Sequence, residues 1–178
     1  MELTEKQLTS ELKYKGKVID VYSDTVELEN GKEAYRDVVR HPGGVCIVAI
    51  TENNEVYFVK QFRYPQGKVL LEIPAGKMEW GEEPEQCGIR ELHEETGCTC
   101  SEYIYLGEML PTPAYNTEVT YMYLARGLKF SSQSLDPDEF LDVERIPLSE
   151  AVKQVMDGTI RDGKTQIAIL KAARMLGI

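Results

Sequence analysis

Between residues 90 and 97 the chain reads Arg90-Glu91-Leu92-His93-Glu94-Glu95-Thr96-Gly97, a run dense in carboxylates. On a helix that turns about 100° per residue, Glu91, Glu94 and Glu95 share one narrow stripe. Like charges at these spacings destabilise a helix by a few tenths of a kcal/mol per pair, so something should compensate them. Two readings do so. One is a solvated acidic face, which surface helices often show. The other is a site for a hard divalent cation, Mg2+ or Mn2+, which takes oxygen ligands and is commonly shared between carboxylates, water and a substrate phosphate. Arg90 stands where its guanidinium can tether one of the carboxylates through a bidentate hydrogen bond. Cys87, His93, Cys98 and Cys100 lie nearby, but their spacing matches no common zinc pattern.

Positioning such a stripe requires a helix seated on a sheet. Pro84 suits the first turn of a helix and Gly97 its end, so the helix is expected from Pro84 to about Thr96, reached by a glycine-containing loop that starts at Pro74-Ala75-Gly76. Ile89 and Leu92 should face the core. Gly88 inside the helix costs roughly 1 kcal/mol relative to Ala, which close packing against the sheet would explain. Upstream, residues 17–28 are rich in Val, Ile, Tyr and Thr and lead into Asn30-Gly31. Together with residues 34–39 they predict a hairpin. Residues 45–51 and 56–62 flank the polar Glu52-Asn53-Asn54-Glu55 and predict a second hairpin. Further strands are expected at 69–73, 103–108, 119–125 and 141–146, and two closing helices near 149–156 and 165–176. The whole reads as an α+β chain, a mixed sheet between helices in an α/β/α sandwich. Residues 1–42 form an N-terminal antiparallel β extension to a main domain over 43–178.

Composition narrows the function classes. With 178 residues, 42% apolar and 28% charged, the chain fits one globular domain rather than a disordered segment. Twenty basic against thirty acidic residues give a formal charge of -10, so no broad basic surface is available for nucleic acid or anionic lipid. An anionic substrate would need a local cluster of arginine and metal. The longest apolar run, residues 45–50, falls far short of the roughly 20 residues needed to span a bilayer. The charged start, Met1-Glu2-Leu3-Thr4-Glu5-Lys6, lacks the apolar stretch of a secretion signal, which makes the cytoplasm the default and the four cysteines free thiols.

The full spacing is more specific than the helix alone: Gly76-x5-Glu82-x7-Arg90-Glu91-Leu92-x-Glu94-Glu95-x-Gly97-Cys98. It resembles the Nudix box, the loop-helix-loop signature of the Nudix hydrolases, with every fixed charged and glycine position present. Cys98 stands where the family usually has a larger aliphatic residue. The resemblance implies the Nudix fold, a mixed sheet between helices, and hydrolysis of a nucleoside diphosphate linked to another group with Mg2+ or Mn2+. It implies Glu91, Glu95 and the backbone carbonyl of Ala75 as metal ligands, with Glu94 as a further ligand or a partner to them.

Outside the box, Val59-Lys60-Gln61-Phe62-Arg63-Tyr64-Pro65 and Leu71-Glu72-Ile73-Pro74-Ala75-Gly76 are similar to the strand pair leading into the box of the ADP-ribose pyrophosphatase branch, where the arginine matching Arg63 contacts the diphosphate. Pro113, fifteen residues after Cys98, falls at the offset of that branch's marker proline. The segment from Tyr35 to Gly44 resembles the part that supplies adenine stacking and phosphate contacts, which implies Tyr35 on the base and Arg36 or Arg40 on phosphate or ribose. Glu118 joins these as an expected substrate contact. In the acidic loop Asp136-Pro137-Asp138-Glu139, Glu139 is the closest match to a glutamate that binds metal or positions the attacking water. Asp136 and Asp138 stay beside it as candidates, because Pro137 occupies the place of a second glutamate in several relatives. The branch also implies a homodimer that shares its N-terminal regions and a small nucleoside diphosphate sugar as substrate, while the net charge and the short apolar run leave no nucleic acid or membrane partner. Hydrolysis of a GDP- or UDP-sugar, a silent ADP-ribose-binding domain, and an interaction protein with an acidic helix are the competing readings.

Overall fold

The computed structural model describes residues 3–135 and 139–178. The chain divides into two compact units, residues 1–43 with 110–119, and residues 44–109 with 120–178.

The first unit is an antiparallel sheet of β1 (Lys6–Lys15), β2 (Asp20–Glu27) and β3 (Glu33–Arg40) in sequential order. The β2–β3 hairpin forms as its sequence predicts. Its loop is longer than a two-residue turn: Leu28 N–H donates to the Lys32 carbonyl and Gly31 N–H to the Leu28 carbonyl, each at 2.8 Å, while the Asn30 side chain accepts from Lys32 N–H at 3.0 Å. Strand β1 is unforeseen. All ten of its residues are exposed, so its sequence carries no buried alternation to announce it.

The second unit holds β4 (Gly44–Ala49), β5 (Glu55–Arg63), β6 (Lys68–Glu72), β7 (Ala75–Lys77), α1 (Pro84–Thr96), β8 (Cys98–Thr99), β9 (Glu102–Met109), β10 (Thr120–Arg126), β11 (Lys129–Phe130), β12 (Leu141–Pro147), α2 (Leu148–Met156) and α3 (Gly163–Leu176). Its central sheet runs β7-β4-β10-β9, with β4 and β10 parallel and the outer pairs antiparallel, while β12-β5-β6 forms a second sheet. The expected hairpin between β4 and β5 does not form. The two strands enter different sheets, and backbone pairing near their junction consists of the Ile50–Val56 bridge and the turn it encloses. A polar turn fixes a reversal of the chain, not which sheet each arm joins.

Strand β4 is buried on both faces, which is why it reads as an unbroken apolar run. Cys46 and Val48 pack with Met122, Leu124, Phe58 and the apolar side of α2 and α3. Val45, Ile47 and Ala49 pack on the opposite side with Tyr123, Cys87 and Leu92 of α1. Helices on both sides of a mixed sheet make the expected sandwich. Helix α1 begins with Pro84 in its first turn and ends at Gly97, whose N–H donates to the His93 carbonyl at 2.8 Å. Gly88 meets the sheet so closely that an added Cβ would lie 1.9 Å from the Tyr103 hydroxyl oxygen. Ile89, expected in the core, is exposed instead. The buried rows of α1 are Cys87-Glu91-Glu95 and Gly88-Leu92-Thr96, so carboxylates occupy a line that a rule of apolar burial would fill differently.

Candidate functional site

The carboxylates of α1 do not form a solvated face. Glu95 is 2% exposed and Glu91 8% exposed, one helical turn apart and turned toward β7. Gly76 in β7 makes this possible: a Cβ there would lie 1.9 Å from the Glu91 carboxyl carbon, so only a glycine leaves room for it. The neighbouring Ala75 N–H donates to Glu95 Oε2 at 2.9 Å. One loop thus supplies a bare backbone for one glutamate and a hydrogen-bond donor for the next.

Arg90 ties three carboxylates together. Its Nη1 donates to Glu91 Oε1 and Glu94 Oε2, each at 2.8 Å, while Nε and Nη2 reach Glu82 at 3.2–3.3 Å. Glu82 also accepts from the Glu79 N–H at 2.8 Å, which closes the loop before α1. Glu82 is therefore a brace for the loop and for Arg90, rather than an isolated surface carboxylate.

The segment after β11 returns along the end of α1. Ser131 N–H donates to the Gly97 carbonyl at 2.7 Å, Ser134 N–H to the Glu94 carbonyl at 3.1 Å, and the Gln133 amide to the Glu95 carbonyl. Glu139 lines a cleft of about 360 Å³ together with Gly76, Arg90, Glu91 and Glu94. Asp136 and Asp138, the other candidates from this loop, lie outside the described residues.

Electrostatics mark the same place. Burial pushes the Glu95 carboxyl up to about 8, and the charges of Glu91 and Glu139 push in the same direction against the Ala75 N–H and Arg63. Burial also raises Glu91, with Glu94 and Glu139 adding to it and Arg90 opposing. Several negative charges are crowded here with too little positive charge to balance them. Among the described residues no three His, Cys, Asp or Glu side chains close on a single point. The oxygen-only donors and their surplus charge nevertheless fit a hard divalent cation, for which Glu91, Glu95 and Glu139 are chemically suitable.

Arg63 belongs to the same unit and is tied down. Its Nε and Nη2 donate to the two oxygens of Glu72, both at 2.7 Å, and Lys164 of α3 donates to Glu72 Oε2. Burial pushes Glu72 upward, but Arg63 and Lys164 together overcome it and hold the carboxyl at about 2. Sequence reasoning singled out Arg63 but gave no role to Glu72 or Lys164. The signal for Glu72 was a lone charge in the apolar strand directly before the box. Nothing local marks Lys164.

Tyr35, Arg36, Arg40, Pro113 and Glu118 all fall in the first unit. Tyr35 is 81% exposed. Arg36 is engaged by Glu5, with Nε to Oε2 at 3.0 Å, and Arg40 lies over the Tyr22 ring at 3.8 Å from its centroid. Pro113 sits in an exposed turn closed by Asn116 N–H to the Thr112 carbonyl at 3.0 Å, and Asn116 Nδ2 donates to Glu118 at 3.2 Å.

Comparison with known proteins reaches the same region. The family model described as the NUDIX domain matches residues 40–165. The chain is 41% identical over 169 residues to an ADP-ribose pyrophosphatase of Bacillus subtilis (strain 168), covering 94% of this chain and 91% of that protein. It is also 41% identical, over 93% of this chain and 90% of the other, to a methanol dehydrogenase activator of Bacillus methanolicus. A crystal structure of an ADP compounds hydrolase superposes with a TM-score of 0.87 at 20% identity, covering 99% of this chain and 97% of that one, a likeness of fold.

Proposed function

The chain belongs to the NUDIX family, and on that premise we propose that it hydrolyses the pyrophosphate of ADP-ribose to AMP and ribose 5-phosphate. The observation that carries this reading is the pair of buried glutamates, Glu91 and Glu95, held one turn apart over Gly76 with an unbalanced negative charge.

Nudix hydrolases use divalent metal ions, and here Mg2+, with Mn2+ as substitute, is the proposed cofactor. Glu91, Glu95, Glu139 and the Ala75 carbonyl would hold it. When bound, such a cation neutralises the diphosphate and makes water acidic enough to attack near neutral pH. The chain's own residues do the remaining work. Arg63 presents its guanidinium to the diphosphate. Glu139 takes the proton of the attacking water as the new P–O bond forms and the bridging P–O bond breaks. Arg90 and Glu94 keep Glu91 in place. Tyr35 stacks on the adenine, Arg36 and Arg40 meet phosphate or ribose, and Pro113 and Glu118 shape the nucleoside side. Arg36 must exchange Glu5 for substrate to do so.

The N-terminal extension is proposed to dimerise the enzyme. Leu8, Leu12 and Tyr14 of the exposed β1 support this, since they offer apolar surface on an open sheet. A cytoplasmic location belongs to the same reading and accords with the free thiols Cys46, Cys87, Cys98 and Cys100. Among the described residues no helix is long and apolar enough to cross a membrane.

The test is product identification. Purified protein is incubated with ADP-ribose and with GDP- and UDP-sugars, with Mg2+ and with EDTA. Release of AMP and ribose 5-phosphate that depends on Mg2+ and is fastest for ADP-ribose is expected. Preferential cleavage of another nucleotide sugar transfers the assignment to that substrate, and binding of ADP-ribose without turnover makes the chain a sensor.

A further inference from the structure

Glu72 is 1% exposed, yet it is ionised and takes no part in the carboxylate cluster on α1. Both its oxygens are used. Oε1 accepts from Arg63 Nε, and Oε2 accepts from Arg63 Nη2 and from Lys164 Nζ. Lys164 is held in turn by Asp162 at 3.0 Å, and Asp162 is the residue that caps α3, accepting from Thr165 N–H at 3.0 Å. Thr165 is itself fixed to the strand side of the unit, where its hydroxyl oxygen accepts from Ile73 N–H at 3.0 Å. A chain of contacts therefore runs from the first turn of α3 to the guanidinium of Arg63. The two Arg63 nitrogens bound to Glu72 leave Nη1 without a partner among the described residues. Beside this chain lies a cleft of about 420 Å³ lined by Arg63, Lys68, Glu72, Arg161 and Lys164.

From this arrangement we infer that Lys164, acting through Glu72, is a positioning residue that fixes the Arg63 fork in the orientation from which it receives the substrate diphosphate. The inference rests on the reading of Arg63 as the diphosphate contact. An arginine on a strand end has many rotamers, and holding it costs conformational entropy that the substrate would otherwise supply on binding. The bidentate bond to Glu72 selects one plane for the fork. Lys164 is needed because Glu72 must itself be immobile. A second cation on Oε2 locks the carboxylate from the helix side and draws part of its charge away from Arg63, so that the free edge of the fork stays competent to bind an anion. The role is remote: Lys164 holds another side chain rather than the reacting atoms.

A double-mutant cycle tests it in the full-length protein. Steady-state hydrolysis of ADP-ribose with Mg2+ is measured for the wild type, K164M, K164R, R63A and the R63A/K164M pair, with thermal midpoints for each. K164M is expected to raise KM about tenfold with kcat changed less than about threefold, and K164R to recover most of the loss. In the R63A background K164M should change kcat/KM by less than about twofold, because the group it positions is gone. Equal losses in the two backgrounds, or a K164M enzyme with wild-type KM, overturn the inference while leaving the activity intact. A wild-type protein that releases no AMP overturns the reading of the activity and the inference with it. If K164M lowers the midpoint so far that it is unfolded under assay, K164Q takes its place in the cycle at a lower temperature with the same two criteria, and K164R is again expected to recover most of the loss.

Discussion

Two glutamates of the second unit are buried to nearly the same degree and behave in opposite ways. Glu72 sits between Arg63 and Lys164 with both oxygens satisfied by cations, and its carboxyl is held at about 2. Glu95 has one backbone N–H for company and two further carboxylates nearby, and is pushed up to about 8. Burial alone therefore says little about what a charged residue is for. Compensation within the chain marks a structural or positioning role, and a missing compensation marks a place where something else must complete the set.

The contrast can be broken most directly at Glu95. Glu95→Gln should preserve the fold and reduce ADP-ribose turnover by about 10³-fold or more, measured as initial rate with saturating Mg2+, since each factor of ten corresponds to about 1.4 kcal/mol of lost transition-state stabilisation. Near-parental turnover would remove Glu95 from the machinery and with it the meaning assigned to its isolation.

Stability sharpens the same comparison because the signs differ. The folded value of Glu95 lies above its ordinary value of 4.5, so between pH 4.5 and about 8 the folded state retains a proton that the unfolded chain releases, and stability falls as pH rises through that window. Glu72 is the reverse: its contribution is fully present above pH 4.5 and is lost as pH falls toward 2. In urea denaturation with EDTA at pH 8, Glu95→Gln should be more stable than wild type by a few kcal/mol, with the gap closing by pH 4.5. Glu72→Gln should be less stable at pH 7 by about 3 kcal/mol, with the gap closing only below pH 4.5. Two variants that shift stability in the same direction at pH 8 would sink the distinction. Adding Mg2+ should stabilise the wild type more at pH 8, where the Glu95 carboxyl gives up its proton readily to a cation, than at pH 5, where it holds that proton.

Smaller effects test the supports. Gly76→Ala should displace the Glu91 carboxylate and slow turnover about tenfold with little change in thermal midpoint, because the site is altered more than the core. Tyr103→Phe removes a buried hydroxyl that has no hydrogen-bond partner in the described structure, so its stability should stay within about 1 kcal/mol of wild type. A large loss there would mean that an unpartnered buried group of this protein is not a sign of slack.

Much of this was legible in the residues. Helix α1 has the limits set by Pro84 and Gly97, because local signals at both ends agree and no tertiary term overrides them. The carboxylates of the box are where their spacing puts them. The β4–β5 hairpin fails to form for the opposite reason: the turn is local, but the choice of sheet depends on β10 and β12, far along the chain. Ile89 lies outside the core because the helix buries glutamates on a line that hydrophobicity would assign to apolar residues, a local inconsistency of the kind expected at functional sites. Strand β7, three residues long, is too short to declare itself by alternation. The Glu72–Lys164 contact joins residues with no sequence relation at all and becomes visible only in three dimensions.

The parallel pairing of β4 with β10 has a consequence for how the molecule is made. Gly44 can pair with Lys77 of β7 early, but its parallel neighbour Thr120 is synthesised only after about half of the second unit has been made. A nascent chain that has just emitted the acidic helix holds only the β4–β7 pair of the central sheet to lay it on, and such non-local closure slows folding relative to hairpin or helical topologies. On the ribosome β7 and α1 can cover one edge and one face of the Val45–Ala49 stretch, while its other edge stays unpaired until β10 emerges.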